Sequence, residues 1–183
     1  MIKLQRFSTL RAPFMANELV DLIGDNQEWL DAVKPGVSAG YSDWQTATKR
    51  IVRIAAAENL NAYAIRKDKA VAGIATVIRN QTVRVQAAAG PVDMAGFDFD
   101  YWTDESGFTD RDHDRIVGGM IVAENVIAGE PIFAALKPDE IDRASGLTKR
   151  LHEYGRPGPI EAPHGDRYGV TKDGADLQFY LSY

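Results

Sequence analysis

The sequence predicts a mixed α/β fold with helices on the faces of a sheet, and three observations predict it. Apolar residues recur at helical spacing in the first third, they alternate at strand spacing around tight-turn signals in the middle, and helical and strand patterns interleave thereafter.

Taken in order, Pro13 suits the opening turn of a helix whose Leu19, Leu22 and Ile23 form an apolar stripe, with Gly24 placed to end it. A short helical segment around Trp29, Leu30 and Val33 stops before Pro35. Ser42 and Gln45 have capping-box spacing ahead of Trp44, Ala47, Thr48, Ile51, Ile54 and Ala55, which predicts the next helix. Residues 62–66, Lys67-Asp68-Lys69 and residues 70–78 then read as strand, turn and strand.

Residues 82–86 extend the sheet, 87–96 read as a loop, and Phe97-Asp-Phe-Asp-Tyr-Trp102 alternates as a half-buried strand with two unlike faces. From Asp110 to Ile127 a helix is expected, with Ile116, Met120, Ala123 and Ile127 on one side and Gly118-Gly119 weakening its interior. Residues 131–136 form a short buried strand, and Asp139–Tyr154 a further helix ending at Gly155. Pro157, Pro159 and Pro163 mark a loop, and Lys172-Asp173-Gly174 joins two closing strands as a hairpin. The expected order is helices first, then strands, helix, strand, helix and hairpin.

Composition narrows the function. At 183 residues the chain is long enough for one core and short for two, so residues 1–183 are read as a single domain. The formal net charge of -5 offers no overall field for nucleic acid or an anionic membrane. Without cysteine there is no disulfide, thiolate metal site or cysteine nucleophile, which fits a reducing compartment. The N-terminal residues lack an apolar signal segment, and no stretch approaches the roughly 18 apolar residues of a membrane span, so a soluble, cytoplasmic protein is expected. His113, His152 and His164 stand in unlike contexts, and His152-Glu153 does not continue into a zinc motif, so no metal is expected. Trp29, Trp44, Tyr101 and Trp102 are read as core, with Trp102 an alternative border to a cleft.

Four strings, in this order, carry a resemblance. They are NAYAIRKDKAVAGIATVI with its Gly73, FDFDYWTDES, ALKPDEIDRASGLTKRLHEYG and DRYGVTKDGADLQFYLSY. Together they resemble the GCN5-related N-acetyltransferase (GNAT) superfamily, in the branch that acetylates ribosomal-protein N-termini. The resemblance implies a mainly antiparallel central sheet flanked by helices, whose fourth and fifth strands splay apart. It implies acetyl-CoA as co-substrate in that gap and a small amine or protein N-terminus as acceptor. Oligomeric state stays open, a homodimer included.

The resemblance also implies site residues. Asp98 stands where the family has a proton-accepting Glu, and Ser145 where a Ser protonates or orients the coenzyme sulfur. Tyr101, Trp102 and Thr103 would offer strand backbone to the coenzyme. Its pyrophosphate would meet N–H groups at the next helix start, around Thr109 and Arg111. At those two positions the family has glycines and this chain has none, while Asp110, Asp112 and Asp114 add negative charge. A second alignment runs through Arg115-Ile-Val-Gly118-Gly119-Met120 and leaves a helix from Met120 to about Gly129. The alternative reading of Asp98 is a polar strand residue facing solvent, and that of Ser145 a helix-start Ser bonded to local backbone. The two function classes are therefore an acyltransferase and a non-catalytic GNAT-fold binding protein that has lost the phosphate site.

Overall fold

A computed structural model describes residues 1–33, 36–87, 90–104, 107–126, 130–136, 168–172 and 175–181. The elements are β1 (Ile2–Arg6), α1 (Ala12–Asp25), α2 (Gln27–Val33), α3 (Trp44–Ala55), β2 (Leu60–Lys67), β3 (Ala70–Ala87), β4 (Gly90–Thr103), α4 (Asp110–Ala123), β5 (Pro131–Leu136), β6 (Tyr168–Lys172) and β7 (Ala175–Leu181). The expected helix at 139–154, the proline loop and the turn at 173–174 lie outside the described residues. Strand order is β1-β2-β3-β4-β5-β7-β6. The chain divides into two compact units, one of residues 1–76 with 101–108, the other of 77–100 with 109–183.

In the first unit the chain starts with a strand, where helices were expected first. β1 pairs antiparallel with β2 from Ile2↔Lys67 to Arg6↔Tyr63. Five alternating residues carry a weak signal on their own, and β2 supplies the ladder that orders them. The β2–β3 turn is a tight hairpin, in which Asp68 and Lys69 take φ values of 49° and 86°, as a two-residue turn requires. Consecutive neighbouring strands joined across two residues, β2/β3 and β3/β4, are antiparallel.

α1 opens with Pro13 in its first turn and runs one residue past Gly24. Asn26 ends it, its Nδ2 donating to the Leu22 carbonyl at 2.8 Å. α3 is capped by Asp43, where Ser42 was expected, because the Asp43 carboxylate accepts the Thr46 N–H at 2.9 Å. The core here joins Met15, Leu19, Leu30 and Ile51 with Ala62, Ala64, Ile74 and Trp102. Burying each of the larger side chains contributes about 1.5–3 kcal/mol. Tyr63 and Ile65 are buried on the other face of β2, which explains its nearly unbroken apolar run.

Trp29 packs edge-on against Trp102 with centroids 6.2 Å apart, as core aromatics do. Trp44 departs from the expected core set and is 46% exposed, its indole N–H donating to the Pro13 carbonyl. Gly73 is required by close packing, since a Cβ there would overlap the carbonyl oxygen of Trp102.

In the second unit β3 and β4 are longer than their patterns suggested. Residues 82–86 belong to β3, interrupted by Asn80 at φ 56°, and residues 90–96, expected as loop, open β4. Backbone pairing with neighbours overrides the weak local propensity of this Ala/Gly-rich stretch. β7 pairs antiparallel with β5 from Pro131↔Leu181 to Leu136↔Asp176 and with β6 from Lys172↔Ala175 to Tyr168↔Phe179, giving the expected closing hairpin.

α4 buries Ile116, Val117 and Met120, whereas Ala123, expected on that side, is exposed. Glu124 takes the next buried position and meets Arg79 of β3 at 2.6 Å, its carboxylate fully buried. The helix stops at Ala123, short of the expected Ile127. Asn125 adopts φ 54°, its N–H reaches the Val122 carbonyl and that of Val126 reaches Ile121, a Schellman termination with Asn in the usual place of Gly.

Candidate functional site

The second unit contains a parallel pairing, and it is short. β4 and β5 pair only at Phe97↔Ile132 and Asp98↔Phe133, although β5 continues to Leu136 and β4 beyond Asp98. Asp98 is the last β4 residue paired with β5, while β4 keeps β3 as its other neighbour, so the Phe99–Asp100 backbone lies past the end of the β5 ladder.

The faces of this strand differ less than alternation implied. Phe99 is fully buried, but Phe97, Asp98, Asp100 and Tyr101 are all half-buried. Asp98 is partly exposed and has an interaction within the fold.

α4 begins at Asp110, the start that the first alignment expects. A helix start at Met120 is ruled out, since Gly118 and Gly119 sit inside α4. Thr109 is the N-cap and Arg111 an exposed residue of the first turn. Thr109 and Asp112 form a capping box. The Asp112 carboxylate accepts the Thr109 N–H at 3.1 Å and its hydroxyl at 3.0 Å, and Thr109 Oγ1 accepts the Asp112 N–H at 3.3 Å. Two donors of this helix start thus already have partners, and a carboxylate stands among them. Sequence reading registered these aspartates as repulsive charge but missed the box, whose Thr-x-x-Asp spacing was there to find.

Asp98, Thr109 and Arg111 fall in the second unit, whereas Tyr101, Trp102 and Thr103 fall in the first. Trp102 is 6% exposed and packed in that unit's core, so its ring serves packing. Thr103 ends β4. Ser145, His152 and His164 lie outside the described residues.

In fold, the chain is similar to solved structures of GNAT-family acetyltransferases. The chain matches a GNAT-family acetyltransferase from Streptococcus agalactiae at 11% identity and TM-score 0.59, covering 100% of this chain and 96% of the other. A structure of the aminoglycoside acetyltransferase AAC(6')-Ib with ribostamycin and coenzyme A matches at 13% identity and TM-score 0.58, covering 98% and 93%. A GNAT-family acetyltransferase from Streptococcus pneumoniae matches at 10% identity and TM-score 0.55 over the full length of both chains. At these identities the likeness is one of fold. No protein-family model and no curated protein matches the chain. Among the described residues no helix is long and apolar enough to cross a membrane.

Proposed function

We propose that the protein is an acyltransferase that moves acetyl from acetyl-CoA to a primary amine, the acceptor being a small amine or a protein N-terminus. The observation that carries this reading is the parallel β4–β5 ladder that ends at Asp98, because it combines main-chain groups beyond the ladder with a half-buried carboxylate at its last pair. Similarity of fold to enzymes solved with coenzyme A supports it.

In this reading the strand backbone past Asp98 orients the pantetheine arm, and Asp98 accepts the amine proton directly or through water as the amine attacks the thioester carbonyl. The amide bond forms, the carbon–sulfur bond breaks, and the thiolate leaves, protonated by Ser145 or water. The residues act as one domain, and a cysteine-free chain fits a cytoplasmic setting.

The capping box favours a second reading, a GNAT-fold binding protein without catalysis, since Thr109 and Asp112 occupy donors that a pyrophosphate would use. Calorimetric titration of acetyl-CoA and CoA, followed by thiol-release assays with amine and peptide N-terminal acceptors, separates the two. The enzyme reading expects saturable coenzyme binding and acceptor-dependent CoA release. Absence of coenzyme binding at millimolar concentration would overturn it.

A further inference from the structure

We propose that the open edge of β1 is a docking strand for an extended acidic peptide segment. β1 ends the sheet and pairs only with β2 among the described residues. Its two ends fix which backbone groups point outward. The Met1 carbonyl accepts the Asp68 N–H, and the Phe7 N–H donates to the Ala62 carbonyl at 2.8 Å. Odd-numbered residues thus turn their main-chain groups to β2, and alternation turns those of Ile2, Leu4 and Arg6 to the open side.

A groove of about 560 Å³ runs there, lined by the consecutive residues Lys3 to Arg6 together with Ser8, Arg11 and Arg66. Its lining takes in consecutive residues of β1 and, through Arg66 opposite Lys3, reaches onto β2. Its charge is one-sided in a chain of net charge -5. Lys3 and Arg11 are exposed and have no side-chain partner among the described residues. Arg6 meets the neutral Asn61 side chain, and only Arg66 is neutralised, by Glu18.

Backbone groups in strand geometry confer affinity for another strand, and three uncompensated cations select an acidic one. A second copy of this chain is disfavoured as occupant, since edge-to-edge pairing would bring Lys3, Arg6 and Arg11 of both copies to one seam.

The test is fluorescence anisotropy of a labelled heptapeptide of alternating Glu and Val against the full chain. Binding should weaken about tenfold or more for Arg11→Glu and for Lys3→Glu. It should vanish when alternate peptide nitrogens are methylated, which blocks the ladder and keeps the charge. Amide exchange at Leu4 and Arg6 should slow on binding. The methylated peptide and the exchange measurement use the unmodified chain, so they stand even where a variant folds poorly. No binding, binding indifferent to methylation, or exchange at Leu4 and Arg6 slowed by self-association of the chain alone would each overturn the proposal.

Discussion

Asp98 ends the β4–β5 ladder half-buried, so its environment is neither bulk water nor dry core. If it accepts the amine proton, Asp98→Asn removes the base while keeping shape and hydrogen-bonding capacity. The expected result is a turnover lowered by about 10²-fold or more with coenzyme affinity nearly unchanged. Equal turnover of both forms across the pH range would remove Asp98 from the chemistry. A second residue-scale prediction concerns Tyr41, which is 3% exposed and lies under Arg50, whose guanidinium carbon is 5.2 Å from the ring centroid. Burial pushes its phenol above the ordinary value of 10.0, partly offset by the charge and hydrogen bond of Arg50. The native state therefore holds the proton more tightly than the unfolded chain. That contribution is complete below about pH 10 and is lost as pH rises through the raised native value. Melting curves above pH 10 should show wild type losing stability faster than Tyr41→Phe, and parallel slopes would contradict this.

At the scale of elements, α4 joins two devices. Its N-terminus is held by the Thr109–Asp112 box, so Thr109→Ala should cost about 1 kcal/mol in denaturant unfolding. In the proposed acyltransferase reading, the coenzyme phosphates meet this same helix start. Changing Asp110, Asp112 and Asp114 to Asn should then strengthen CoA binding at low salt, with a smaller gain for dephospho-CoA, which carries less charge. Calorimetry with no gain for either ligand would place the phosphates elsewhere. Its C-terminal Glu124 is a buried acid near a helix end that disfavours negative charge, and Arg79 offsets both burdens. Arg79→Ala should cost about 2–3 kcal/mol, less than a fully buried pair because the Arg79 side chain is 37% exposed. The double variant Arg79→Met with Glu124→Leu should recover most of that loss, and failure to recover would mean the pair does more than neutralise itself.

At the scale of the molecule, β3 and β4 each pass from one compact unit to the other along the chain. Covalently shared strands argue for one cooperative domain. Trp29, Trp44 and Trp102, the chain's 3 tryptophans, all belong to the first unit, while far-ultraviolet circular dichroism reads both. Thermal transitions followed by the two signals should coincide, and midpoints separated by several degrees would show two domains.

Helical periodicity around Leu19, Leu22 and Ile51, the Lys67-Asp68-Lys69 turn and the alternation at Phe97–Trp102 were legible because side-chain spacing and turn chemistry are local properties of the sequence. The same locality made the capping role of Asp43 ambiguous with that of Ser42 by one position, since both residue types cap. It left β1 unseen, because a five-residue edge strand is ordered by β2, 60 residues away in sequence. Buried Glu124 was unreadable for the same reason, its partner Arg79 lying 45 residues earlier. The sequence by itself determined the types of the elements it located, the acidic balance and the lack of glycine at positions 109 and 111. Only the tertiary structure decided that β4 and β5 part after Asp98, that Trp102 packs while Trp44 is exposed, and that Asp112 closes on Thr109. Pairing, burial and capping each depend on groups that the fold brings together.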